Sequence, residues 1–218
     1  MTGHFNARRV LRDLLGALVA LVIAGADPAA AKGLRIVALG DSLTAGYGLN
    51  EEDGFTRQLE RALRAKGHEV EILNAGVSGD TTAGGLARLD WTLADKPDAV
   101  IVELGANDML RGLDPAQARA NLDQILARLR QENLPVLLAG MYANPGLGRA
   151  YGDAFNRIYP DLAEKHGTLL YPFFLEGVAA DRVLNQGDGL HPTREGVAVI
   201  VRNILPSVER LIVAAKGG

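Results

Sequence analysis

The sequence predicts an α/β fold, a three-layer α/β/α sandwich built on a five-stranded parallel sheet. Three observations carry that expectation. From Lys32 onward, apolar runs of strand length alternate with amphipathic segments of helix length, and strict alternation with short connections implies parallel strands joined by right-handed crossovers. The strand runs are continuously apolar, as in Leu34–Leu39 (LRIVAL) and Ala99–Leu104 (AVIVEL), which is the pattern of strands covered on both faces. The chain has 218 residues and no internal repeat, enough for one such domain with a buried core.

The elements follow in order. Leu34–Leu39 is the first strand. Phe55–Lys66 places Phe55, Leu59, Ala62 and Leu63 at helical spacing, with Gly67 where a helix C-cap is expected. Val70–Leu73 is a second strand. Thr81–Ala94 is a second helix with Leu86, Leu89 and Leu93 on one face. Ala99–Leu104 is the central strand. Pro115–Gln131 is a third helix, with Asp114 as N-cap and proline at its first position. Val136–Ala139 is a strand and Arg149–His166 a fourth helix, closed by Gly167. Leu169–Tyr171 is the fifth strand. Thr193–Ala215 is the last helix, bent or interrupted at Pro206.

The first 31 residues are set apart. Arg8, Arg9 and Arg12 precede an apolar run from Leu14 to Ala24, then Asp27-Pro28, then Ala29-Ala30-Ala31. This reads as a secretory signal cleaved after Ala31. The competing reading is an uncleaved anchor, but the run is well short of the ~20 residues that span a bilayer. The expectation is an exported protein, periplasmic or secreted, with residues 32–218 as one folded domain.

Composition narrows the chemistry. Net charge is −3, with no basic footprint for a nucleic-acid partner. There is no cysteine, which excludes disulfides, a thiolate nucleophile and thiolate metal ligands. Asp41 and Asp80 lack a third ligand at recognisable spacing, so no metal is expected.

In an open parallel sheet, ligands bind beyond the carboxyl ends of the strands. The segments found there are Gly40-Asp41-Ser42-Leu43-Thr44, Asn74 to Asp80, Gly105-Ala106-Asn107-Asp108 and Asp188-Gly189-Leu190-His191-Pro192. They supply a hydroxyl, a glycine amide, a carboxamide and a carboxylate–imidazole pair, the parts of an acyl-transfer site. Ser42 lies in a tight strand-to-helix turn that exposes its Oγ. Among the four histidines, His4 falls in the signal, His68 in a turn and His166 at a helix C-terminus. His191 follows Asp188 by three residues in a loop, so the carboxylate can fold back onto the imidazole and fix its tautomer. Gly79 and Asn107 follow neighbouring strands and are candidate oxyanion donors. Asp41 and Asp108 read as structural acceptors for loop amides.

These segments resemble the ordered blocks of the GDSL, or SGNH, hydrolases. Gly40-Asp41-Ser42-Leu43 is similar to the first block, Val77-Ser78-Gly79-Asp80-Thr81 to the second, Gly105-Ala106-Asn107-Asp108 to the third and Asp188-Gly189-Leu190-His191-Pro192 to the fifth. Within that family the bacterial thioesterase/protease/lysophospholipase and arylesterase branch is the most similar. Gly85 to Leu89, Val102 to Gly112 and Tyr151 to Pro160 carry that likeness. The resemblance implies a flavodoxin-like sandwich without cofactor or metal. It implies a Ser42, Asp188, His191 triad, with the Ser42 and Gly79 amides and the Asn107 carboxamide as oxyanion donors. It also implies that Met141–Ala150 is a mobile loop over the acyl site.

Tyr47, Met109, Leu110, Tyr142 and Leu190 are candidates to line an acyl groove. Being mostly apolar, they suit small-molecule or lipid esters or thioesters, with transient membrane-lipid contact. A carbohydrate O-deacetylase on the same machinery is the alternative enzyme. A catalytically silent exported binding module is the alternative of another class.

Overall fold

The computed structural model describes Met1 and residues 33–217; apart from Met1, the signal segment read at residues 1–31 lies outside them. Five strands form one parallel sheet. They are β1 (Leu34–Gly40), β2 (Val70–Gly76), β3 (Ala99–Glu103), β4 (Val136–Ala139) and β5 (Leu169–Tyr171), in the order β2-β1-β3-β4-β5. The order reverses between β1 and β3, so a crevice opens beyond the ends of those two strands. β3 and β4 are buried along their whole length, as their unbroken apolar runs require. β2 runs three residues past its apolar stretch, because Asn74, Ala75 and Gly76 pair in register with Ala38, Leu39 and Gly40.

Nine α-helices are found among the described residues: α1 (Ser42–Ala45), α2 (Phe55–Ala65), α3 (Thr82–Ala87), α4 (Leu89–Leu93), α5 (Ala106–Leu110), α6 (Pro115–Gln131), α7 (Arg149–Asn156), α8 (Ile158–His166) and α9 (Arg194–Gly217). α2 packs against α9, and α9 also contacts β3, β4 and β5. α6 packs against α3 and α8, with α8 on β4 and β5. The core lies between these layers, around Ile36, Ile101, Leu104, Leu122 and Tyr159, all essentially excluded from solvent. Asp114 caps α6 through the Ala116 amide at 2.9 Å, with Pro115 at its first turn.

Two helices depart from expectation, and a third settles one alternative. The segment expected as Thr81–Ala94 is two helices, broken at Arg88 (φ −106°, ψ 9°). The Arg88 side chain points away to three acceptors at the sheet edge, described below. Gly84 and Gly85 precede the break, and glycine adds backbone freedom that weakens a helix. The segment expected as Arg149–His166 breaks at Arg157. Pro160 explains this, since it has no N–H to offer Asn156 O and its ring crowds that carbonyl. α9, by contrast, runs unbroken through Pro206. Ile200, Val201, Ile204, Val208 and Leu211 are buried on either side of it, and that packing outweighs one forfeited hydrogen bond.

Candidate active site

All four segments singled out above lie at the carboxyl edge of the sheet. Ser42 opens α1 directly after β1, where Asp41 Oδ1 accepts from the Leu43 amide at 3.0 Å. The turn is tight. A Cβ on Gly40 would fall 2.0 Å from Thr44 Oγ1, and one on Gly76 2.3 Å from Ala45 N. Only glycine lets β1 and β2 pass this close beneath the serine.

Ser42, His191 and Asp188 are brought together. Ser42 Oγ lies 2.9 Å from His191 Nε2, and His191 Nδ1 lies 2.6 Å from Asp188 Oδ2. Asp188 Oδ1 accepts from the Leu190 and His191 amides at 2.9 and 3.0 Å, across a turn with Gly189 at φ +70°. The bond to His191, with those two amides, lowers the Asp188 carboxyl from 3.8 to about 2. The carboxylate is therefore ionised at neutral pH, and a proton on Nδ1 leaves Nε2 free to accept from the serine hydroxyl. The Tyr47 ring lies 4.4 Å from the His191 ring, tilted by 38°.

Gly79 (φ +85°) turns the backbone after β2, and Asn107 lies in the first turn of α5. Among the described residues, neither the Ser42 nor the Gly79 N–H has an acceptor. Asn107 Nδ2 donates to Asp41 Oδ2 at 3.0 Å and to Asp80 O at 2.9 Å. Asp41 thus does more than cap a loop, because it also orients the carboxamide. Asp108 holds the Thr82 amide at 2.8 Å and the Thr82 hydroxyl at 2.6 Å. Asp80 pairs with Arg88 at 2.6 Å. No group of three or more His, Cys, Asp or Glu side chains among the described residues could hold a metal ion.

Two groups in this edge escaped sequence reading. Arg88 Nη1 donates to Ala75 O at 2.8 Å and Nη2 to Gly40 O at 2.9 Å, so one guanidinium ties β1, β2 and the Asp80 turn together. Glu103 ends β3 fully buried. Its Oε2 accepts from Thr44 Oγ1 at 2.7 Å and from the Asp41 amide at 3.4 Å, and its Oε1 has no partner among the described residues. Burial first, then the neighbouring Asp41, pushes the Glu103 carboxyl well above the usual range. The signal was present as one acid closing an otherwise apolar strand. Burial likewise pushes Asp41 up, to about 6.

Of the groove candidates, Tyr47, Leu110, Tyr142 and Leu190 are about half exposed. Met109 instead packs partly buried against the core. Tyr142 stacks on Phe173, their centroids 4.8 Å apart. Within Met141–Ala150, Pro145–Leu147 forms a single 3-10 turn, and Asn156 Oδ1 accepts from the Ala143 amide at 2.8 Å.

Residues 38–199 match the profile of the GDSL-like lipase/acylhydrolase family. Esterase TesA of Pseudomonas aeruginosa is 41% identical over 200 residues, covering 91% of this chain and 98% of that protein. Thioesterase 1/protease 1/lysophospholipase L1 of Escherichia coli K12 is 38% identical over 178 residues, covering 81% and 84%. The crystal structure of AlinE4, an SGNH-hydrolase family esterase, superposes with a TM-score of 0.70 at 50% identity, covering 82% of this chain and 96% of that one.

Proposed function

The chain belongs to the GDSL-like lipase/acylhydrolase family, and from that we propose how this ester-hydrolysing serine hydrolase works and on what. Ser42 attacks the carbonyl of an ester or thioester while His191 takes its proton through Nε2. Asp188 holds the imidazole in the Nδ1–H form and stabilises the imidazolium. The Ser42 and Gly79 amides receive the oxyanion, and the Asn107 carboxamide joins them by turning one N–H away from Asp80 O while the other stays on Asp41, each such donor typically worth ~3 kcal/mol. His191 then protonates the leaving group, and water repeats the sequence on the acyl-enzyme. The observation that supports this most directly is the Ser42–His191–Asp188 relay, at 2.9 and 2.6 Å.

The substrates on this reading are fatty-acyl or aryl esters or thioesters. Tyr47, Leu110, Tyr142 and Leu190 present apolar surface at the edge that carries the serine, which suits an acyl chain and transient contact with lipid. No helix among the described residues is long and apolar enough to cross a membrane. The N-terminal segment read as a signal supports export and a mature chain beginning near Lys32.

The test is hydrolysis of p-nitrophenyl esters from acetyl to palmitoyl by the protein and by Ser42→Ala. The substitution should remove at least ~10³-fold of kcat. A rate that peaks at medium or long chains supports the fatty-acyl reading. A rate confined to acetyl transfers the assignment to a deacetylase. An equally active Ser42→Ala ends the Ser42 assignment.

A further inference from the structure

Ser42 and His191 lie 149 positions apart in the chain, and one hydrogen bond joins their side chains. The segments that carry them have a second connection. The Gln186 amide N–H donates to His191 O at 2.7 Å. The Gln186 carboxamide Nε2 donates to Pro192 O at 2.9 Å and to Tyr47 O at 2.8 Å. Tyr47 belongs to the turn that leaves α1, where its amide donates to Ser42 O at 3.1 Å. One side chain therefore holds the turn after the nucleophile against the turn that carries the base. Gly48 (φ +73°) makes room for it, since a Cβ there would lie 2.3 Å from Gln186 Oε1.

We propose that Gln186 is a positioning residue for acyl transfer, whose carboxamide fixes the Ser42–His191 separation by clasping the Tyr47 and Pro192 carbonyls; the proposal rests on the triad reading above. The chemistry of the clasp is specific. Both partners are carbonyl oxygens, so the bridging group must offer two N–H donors from one atom. A glutamine NH₂ does so, a glutamate of the same shape offers acceptors instead, and methionine of similar volume offers neither. The clasp also sets the Tyr47 ring against His191, which limits the swing of the imidazole. Proximity is worth much here, since a shift of about 1 Å in a reacting group can lower a rate ~10²-fold.

The experiment compares the protein with Gln186→Met, Gln186→Glu, Gly48→Ala and Ser42→Ala. Active sites are counted by a fluorophosphonate titration, and kcat, KM and labelling rate on a p-nitrophenyl ester are expressed per titrated site. Gln186→Met and Gln186→Glu should lower kcat and the labelling rate together, by roughly 10- to 100-fold, with KM changed less than about two-fold. Gly48→Ala, which crowds the carboxamide from the other side, should give the same pattern and decides the matter if the Gln186 variants do not fold. A parental kcat per titrated site, with only thermal stability or active fraction reduced, would make Gln186 a loop staple and overturn the proposal. Failure of the triad reading shows separately, as labelling or turnover that survives Ser42→Ala.

Discussion

Replacing Asp41 with asparagine separates what this residue does for the site from what its burial does to the fold. The carboxyl is fully buried, and desolvation raises it from 3.8 to about 6. At ~1.4 kcal/mol for each pH step, that rise makes the ionised form about 3 kcal/mol less favourable in the folded state than in the unfolded chain. The sign follows from proton counting. Between pH 3.8 and about 6 the folded state holds more of the proton, so stability falls as pH rises through that window. The penalty is absent below 3.8 and complete above 6. Asparagine carries no such penalty. Urea unfolding at pH 4 and pH 8 should therefore show the variant gaining about 2–3 kcal/mol on the parent between the two conditions. Taking the difference of differences removes groups remote from Asp41, Asp188 included, while Glu103, relieved of the neighbouring charge, moves the gain in the same direction. Activity should move the other way. Asp41 uses one oxygen for the Leu43 amide and the other for Asn107, whereas asparagine has one acceptor oxygen for two donors. Either the serine turn or the oxyanion carboxamide loses its hold, and kcat should fall roughly 10- to 100-fold. A stability difference between variant and parent that does not change with pH, or in which the variant loses ground toward pH 8, would refute the reasoning about burial; an unchanged kcat would refute the role in orienting Asn107.

Other expectations concern neighbouring groups. Asp188→Asn should lower kcat by about 10²- to 10⁴-fold with little change in KM, in line with loss of tautomer control. The parental Asp188 contributes its stability above 3.8 and loses it as pH falls toward 2, so a carboxyl-carbon titration by NMR should place its midpoint near 2, and a midpoint near 4 would contradict the pairing. Glu103→Gln keeps an acceptor oxygen for the Thr44 hydroxyl and the Asp41 amide, so kcat should stay within about three-fold, while Glu103→Ala should lose roughly 2 kcal/mol or more from the void and the orphaned hydroxyl. Gly105 sits at φ +117°, and a Cβ there would fall 2.2 Å from the Tyr159 hydroxyl that donates to Leu104 O at 2.9 Å. Gly105→Ala should therefore destabilise the fold by about 2 kcal/mol or more, a drop of roughly 4–8 °C in a thermal melt.

The fold was legible because buried parallel strands announce themselves as continuous apolar runs, and β1, β3 and β4 sit within a residue of where those runs lie. Helix interruptions were less so. The Arg157 break is written in Pro160, whose missing N–H could have been counted against Asn156 in advance. The Arg88 break is not written locally, since its cause is a guanidinium reaching Gly40 O, 48 positions earlier. The same division holds at the edge of the sheet. Ser42, Asp188 and His191, which the fold brings together, and the candidates Gly79 and Asn107 stand out in the sequence because residue type and place beyond a strand coincide. Glu103, Arg88 and Gln186 act through backbone carbonyls and buried neighbours far off in sequence, and only the folded chain shows which ones.

The sheet order has a consequence for the life history of the molecule. β1 and its serine come early in the chain, but the imidazole arrives only with the segment that leads into α9. A chain still short of its last thirty or so residues lacks the imidazole together with α9, which covers β3, β4 and β5, so on the proposed mechanism its serine has no base. Reactivity therefore switches on at the last step of assembly, when distant ends of the chain meet, a slow kind of contact to form. Covalent labelling of Ser42 would then act as a clock, timing the moment at which the two ends of the domain close on one another.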